Sequence, residues 1–269
     1  MKIAICQVSP TIGNIKENRA KLEAAIATAA SQGAEIVLLP ELSNTGYSFA
    51  GKEELNQYAE TPDGETLTSW IQLAKKFSIS IVGGFAEKSS DNHIYNSAAV
   101  VDPTGVKVVY RKAHLWGDEK LYFTAGDGQA PIVDLPGCRL GLMVCYDIEF
   151  PEWVRSVALR GAELICCPVN LPLYPRPDGN TPSEIVRYQA QAAFNRIYIA
   201  TADRSQPDRN QAWLGASVVI DPDGFVVSKV NLGNDFVQVV DIDPQESRNK
   251  SIGDTNDVFK DRRVDLYEK

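Results

Sequence analysis

The sequence predicts an α/β fold, a four-layer α-β-β-α sandwich built from two pseudo-symmetric halves. Three observations lead there. Helical and strand-like hydrophobic patterns alternate along the chain. A stretch recurs without gaps, Gln32-Gly33-Ala34-Glu35-Ile36-Val37-Leu38-Leu39-Pro40 against Arg160-Gly161-Ala162-Glu163-Leu164-Ile165-Cys166-Cys167-Pro168. A turn signature also recurs, Asp102-Pro103-Thr104-Gly105 against Asp221-Pro222-Asp223-Gly224, each set between apolar runs. Neither half alone can cover both faces of a sheet. Packing the two sheets face to face with helices outside buries all of them in a single domain spanning 1–269.

The elements follow in order. Lys2-Ile3-Ala4-Ile5 is a strand that resembles Arg139-Leu140-Gly141-Leu142 in the second half. Residues 15–32 place Ile15, Leu22, Ala25 and Ile26 near helical spacing, and Gly33 ends that helix. A strand over 35–40 follows. Leu67, Trp70, Ile71 and Leu73-Ala74 make Thr66 to Phe77 an amphipathic helix. Ser80 to Phe85 is a strand, and Tyr95 to Val101 with Val106 to Tyr110 forms a hairpin. In the second half, Trp153 to Leu159 reads as a helix, and Ala216 to Val227 repeats the hairpin. Leu171 to Pro182, with prolines at 172, 175, 177 and 182, is a surface loop rather than a domain boundary.

Bulk properties narrow the function by exclusion. The chain has 269 residues, 44% hydrophobic and 23% charged, ordinary for a globular enzyme. Its 27 basic and 35 acidic residues give a net charge of -8, which argues against a nucleic-acid partner. No segment approaches the ~18 apolar residues of a membrane helix, and the N-terminal apolar run is too short for a signal peptide. Cys6, Cys138, Cys145, Cys166 and Cys167 lack a disulfide spacing, so a reducing, cytoplasmic setting is expected.

Three apolar stretches each end on a chemically loaded residue. Glu41 closes Ile36-Val37-Leu38-Leu39-Pro40-Glu41, Lys112 closes Val106 to Lys112, and Cys145 closes Leu140-Gly141-Leu142-Met143-Val144-Cys145. Singly, each has an ordinary reading: a buried ion pair, a basic strand end, a core thiol. Together they are a base, a cation and a nucleophile, the parts of a covalent acyl-transfer site. The repeat adds weight, because the position of Glu41 is occupied by Val169 in the second half. Cys145 precedes a tight strand-to-helix turn, a setting expected to lower a thiol pKa and favour the thiolate. Thiolate attack on an amide carbonyl puts charge on oxygen, which Lys112 and the backbone N–H of Tyr146 would stabilise. No metal or cofactor is needed. Rival sites are weaker: no Gly-x-Ser-x-Gly occurs, and the two histidines, His93 and His114, with no Cys-x-x-Cys, make zinc improbable. A Cys145–His pair would leave Glu41 and Lys112 unexplained.

Leu39-Pro40-Glu41, Tyr110-Arg111-Lys112-Ala113-His114-Leu115 and Val144-Cys145-Tyr146-Asp147-Ile148-Glu149-Phe150-Pro151-Glu152 resemble the three signature segments of the nitrilase superfamily of carbon-nitrogen hydrolases. The likeness runs from Met1 to about Asp241, and Asp261 to Tyr267 is similar to the family's C-terminal stretch. It implies the α-β-β-α sandwich and a Glu-Lys-Cys triad, with Cys145 as nucleophile, Glu41 as general base and Lys112 as oxyanion-stabilising cation. Glu119 matches a second glutamate that orients the lysine and positions the leaving group or water. The resemblance also implies a homodimer or larger homo-oligomer, with Phe150 to Leu159 and Glu184 to Phe194 as dimer helices and the tail of about 242–269 at the interface.

Substrate contacts are expected from loops after the strand ends: Tyr47, Trp116, Tyr146, Glu149, Phe150, Asn170, Leu171 and Tyr174. The family's ω-amidase branch has Arg where this chain has Glu149, which weakens a dicarboxylate monoamide, although Arg176 offers a cation. A carboxylate there favours neutral or cationic substrates. The expected activity is hydrolysis of a small aliphatic or amine-bearing carboxamide. Nitrile, N-carbamoyl and ω-amide hydrolysis remain alternatives, as does an inactive member acting as a binding module.

Overall fold

The computed structural model describes residues 1–267. Glu268 and Lys269, the end of the expected domain and interface tail, lie outside the described residues. One sheet has the order β11-β1-β2-β3-β4-β5, the other β10-β9-β8-β7-β6. In the first, β1 (Lys2–Gln7), β2 (Ile36–Leu38) and β3 (Ser80–Lys88) run parallel, while β4 (Ile94–Asp102) and β5 (Gly105–Arg111) continue antiparallel. In the second, β7 (Cys138–Leu142), β8 (Leu164–Pro168) and β9 (Tyr198–Ala202) are parallel, flanked by antiparallel β6 (Ile132–Leu135) and β10 (Val218–Ile220). The C-terminal β11 (Phe236–Asp241) returns to pair antiparallel with β1, taking the place that β6 takes beside β7.

The alternation of side chains sorts the strands into layers. Ile3, Ile5, Ile36 and Leu38 point between the sheets and pack in one core with Leu140, Leu142, Leu164 and Ile199. Their neighbours Ala4, Cys6, Val37 and Leu39 point the other way, onto a second core with Leu22, Ile26 and Trp70. Those last side chains come from α1 (Ile15–Ser31) and α3 (Glu65–Phe77). On the far side, α5 (Pro151–Leu159) and α6 (Ser183–Asn195) cover the second sheet. Both faces of each central strand are therefore buried, which is why the strands read as unbroken apolar runs. The predicted four-layer sandwich is the one observed. Among the described residues, no helix is long and apolar enough to cross a membrane.

Local signals hold closely where they were read. The first helix ends at Ser31, with Gly33 at φ 83°. Pro151 opens α5, where a missing N–H costs nothing. The second hairpin differs from its expectation. Its first arm is β10, but its return is only an isolated bridge, Ile220 to Val226. Two short helices, α2 (Lys52–Tyr58) and α4 (Glu119–Tyr122), lie near the exits of β2 and β5.

Candidate active site

Glu41 lies in a turn beyond β2, and its neighbour strand shapes that turn. Gly84 on β3 donates its N–H to Pro40 O at 3.0 Å and accepts from Ser43 N at 2.9 Å. A Cβ on Gly84 would stand 2.5 Å from Glu41 Cα and 2.7 Å from Leu42 N, so only glycine lets the turn sit this close. The chain then bends through Leu42 at φ 47°, a left-handed conformation that a leucine rarely adopts. This strained turn holds the Glu41 side chain fully buried.

Lys112 continues the β4–β5 ladder by one residue, its N–H donating to Asn96 O at 2.8 Å. Its Nζ donates to Glu41 Oε1 at 2.7 Å and to Glu119 Oε1 at 2.8 Å, with all three side chains buried. Asn96 Nδ2 reaches the same two oxygens, at 2.7 and 3.3 Å. Tyr47 OH and Trp116 N–H also donate to Glu119. Glu41 Oε1 is thus saturated, while its Oε2 is buried without a partner. Burial pushes Glu41 up to about 7 against the pull of Lys112. Burial draws Lys112 down, but Glu119 and Glu41 outweigh it and hold the ammonium well above the ordinary lysine range. A carboxylate near neutrality with one free oxygen is suited to general-base work.

Cys145 opens a 3-10 turn, Cys145–Glu149, at φ 45°. Asp147 in that turn ties the Cys145 segment to the Lys112 segment: it accepts from Val144 N at 3.1 Å, Tyr110 OH at 2.9 Å and His114 N at 3.0 Å. The first N–H groups of such a turn have no partner within it, which leaves Tyr146 N–H available to an oxyanion. The Cys145 thiol donates to Asn170 O at 3.7 Å, and Asn170 Nδ2 donates to Glu41 O at 3.0 Å. Asp203 pins the next peptide by accepting from Leu171 N at 3.0 Å. The expectation of a resting thiolate is overturned. Burial and the charge of Glu41 push the Cys145 thiol well above its ordinary range despite Lys112. Desolvation outweighs the dipole of so short a turn. At rest Cys145 is therefore a thiol rather than a thiolate.

A cavity of about 80 Å³ opens on Cys145. Trp116, Tyr146, Glu149, Asn170, Leu171 and Tyr174 line it, as the sequence suggested. Tyr47 does not; it holds Glu119 and lines an adjoining depression. Phe150 instead stacks on His114, with ring centroids 4.0 Å apart. Arg176 does not line this cavity; it lines an adjoining depression of the proline-rich loop that shares Glu184 and Arg187 with it. The cation in the cavity is Arg187, which pairs with Glu149 and, at 3.3 Å, with Glu184. Arg187, Glu184 and Tyr188 were missed, as were Asn96 and Gly84. Spacing on α6 gave no hint of the first three. Asp147 stood inside the quoted motif and was the one with a readable signal.

The carbon-nitrogen hydrolase family model matches residues 2–250. A Pyrococcus abyssi protein named nitrilase is 40% identical over 99% of this chain and 99% of its own length. The 2-oxoglutaramate amidase of Bacillus subtilis is 33% identical over 98% of each chain. Among solved structures, an amidase from Nesterenkonia sp. AN1 superposes with a TM-score of 0.81 at 27% identity, covering 99% of this chain and 98% of that one. That structure shows the result of Michael addition of acrylamide at its active-site cysteine.

Proposed function

This chain belongs to the carbon-nitrogen hydrolase family, and from that premise we propose that it is an amidase cleaving small aliphatic or amine-bearing carboxamides through a cysteine thioester. The observation that carries the reading is the buried Glu41–Lys112–Glu119 chain, with Glu41 Oε2 left unpaired and the Cys145 thiol held well above its ordinary range by burial. Glu41 takes the proton of Cys145 as Sγ bonds to the amide carbon. The oxygen becomes an oxyanion held by Lys112 Nζ and Tyr146 N–H. The C–N bond then breaks, Glu41 returns the proton to nitrogen, and ammonia leaves. Water, deprotonated by the same carboxylate, cleaves the thioester and restores the thiol. Glu119 and Asn96 position Lys112 and Glu41 throughout.

The same reading takes residues 1–269 as one carbon-nitrogen hydrolase domain that acts as a homo-oligomer. Leu159, Val186 and Phe194 stand exposed on α5 and α6, which supports those helices as the interface. The described part of the tail, residues 242–267, packs on the same region, where Lys250 Nζ donates to Asn195 O at 3.0 Å.

An ammonia-release panel of neutral, amine-bearing and anionic amides, N-carbamoyl compounds and nitriles tests the activity, with Cys145→Ala as blank. Neutral and amine-bearing amides are expected to turn over and the blank to stay at background. Faster turnover of an α-keto acid ω-amide would defeat the substrate reading. No ammonia from any compound, with Cys145 inert to iodoacetamide, would defeat the enzyme reading. Nitriles belong in the panel because the 40% identical relative is named nitrilase and thiol addition to a nitrile reaches the same thioester.

A further inference from the structure

Three side chains carry all the charge in the cavity beside Cys145, and the sequence motif contains only one of them. Glu149 comes from the cysteine's own turn, while Glu184 and Arg187 stand one helical turn apart on α6. Arg187 Nε donates to Glu149, and Arg187 Nη2 donates to Glu184 Oε1 at 3.3 Å. The two carboxylates are largely withdrawn from water, at 16% and 11% side-chain exposure, so their charge is weakly screened. Within the cavity lining two carboxylates stand against one guanidinium, and Arg176 lies outside it, in the adjoining depression that shares Glu184 and Arg187. Arg187 is itself 46% exposed, but its Nε and Nη2 are engaged, which leaves less of the guanidinium for a third carboxylate.

We propose that Glu149, Arg187 and Glu184 form a charge filter for the acyl end of the substrate, in which Arg187 is masked by its two partners. An ammonium or an uncharged chain then enters, and a carboxylate is turned away. This rests on the amidase reading and adds where its selectivity resides. It also makes the selectivity reversible: specificity set by a repelling charge is lost when that charge is removed. Glu149→Gln unmasks Arg187 and cancels the excess charge. Arg187→Gln leaves both carboxylates facing the ligand alone.

The test uses two sets of probes on the intact protein. Cys145 is labelled with aminoethyl, ethyl and sulfonatoethyl methanethiosulfonate, with Cys145→Ala subtracting the other thiols. Ammonia release is measured from γ-aminobutyramide, butyramide and succinamate. Dividing each charged rate by the neutral one removes any general loss of folding or reactivity. The wild-type protein is expected to favour the cation. Arg187→Gln should raise the cation-to-anion ratio about tenfold, and Glu149→Gln should lower it by about as much or reverse it. Ratios unmoved by both variants, with amides still hydrolysed, would overturn the filter and leave the amidase standing. Ratios that switch while no amide releases ammonia would sustain the filter and overturn the amidase.

Discussion

The two halves share one strand exit and use it differently. β2 and β8 are both entered through Gly-Ala-Glu and both lead to a proline, Pro40 or Pro168. After the first comes Glu41, after the second Val169. The neighbouring strands differ in step. Pairing of β2 with β3 and of β8 with β9 puts Gly84 beside Pro40 and Ala202 beside Pro168. Without a side chain, Gly84 lets the first exit fold back over it and fix a carboxylate. Ala202 faces a chain that runs on, Val169 N donating to Ala202 O at 2.9 Å, and both residues are ordinary buried apolar wall. The scaffold therefore asks only for proline and an apolar successor. A buried glutamate over a bare glycine is a departure that the fold does not require, and such departures mark chemistry.

The hardest test of this contrast exchanges the two residues. Glu41→Val writes the second half into the first and is expected to fold, with Lys112 still held by Glu119, while ammonia release falls on the order of 10⁴-fold. Glu41→Gln, which keeps the volume, should lose as much. Val169→Glu places a carboxylate where nothing pairs it and should cost about 3–5 kcal/mol of stability with no gain in rate. Circular dichroism melts and initial rates decide. A Glu41→Val protein within tenfold of wild type would end the argument that the halves differ for catalysis.

A smaller effect probes the floor under the turn. Gly84→Ala copies Ala202 and drives a Cβ to 2.5 Å from Glu41 Cα, so the carboxylate must shift. Displacement of a catalytic group by about 1 Å is expected to lower kcat about 10²-fold. The reciprocal Ala202→Gly should leave the rate nearly unchanged and cost about 1 kcal/mol of stability. Equal effects of the two on kcat would show that Gly84 serves only packing.

Much of this was legible because it is periodic or local. The alternation of Ile3, Ile5, Ile36 and Leu38 with Ala4, Cys6, Val37 and Leu39 encodes both faces of a buried sheet, and the repeat counts the sheets. Glu41, Lys112 and Cys145 stood out because each breaks an apolar run. The strands β6 and β11 went unread: they are edge strands held by antiparallel pairing, β6 with the next strand β7 and β11 with the distant β1, rather than by a marked local pattern. Asn96 looks like any polar strand residue until the topology brings it to Glu41 and Glu119. Arg187 is invisible for the same reason, since its partner Glu149 lies on a different element. The state of Cys145 was misread because the sequence shows the turn but not the desolvation around the thiol.

That misreading leaves one more way to sharpen the contrast between the halves, through pH. The second half supplies a thiol that burial keeps protonated, and the first supplies a carboxylate that burial raises to about 7. A carboxyl with a raised pKa is the competent base only above that value. The kcat/KM for an uncharged amide should therefore fall about tenfold per pH unit as pH drops below about 7. Lys112, held well above the ordinary lysine range, stays charged and imposes no limb near neutrality. If Glu41 carries the proton, Glu41→Gln must lose the limb near 7, and its small residual rate should climb with alkalinity as the thiol ionises unaided. An unshifted limb in Glu41→Gln would assign it to another group and make the thiol independent of the first half. A limb that vanishes ties the nucleophile of one half to the base of the other across the packed sheets.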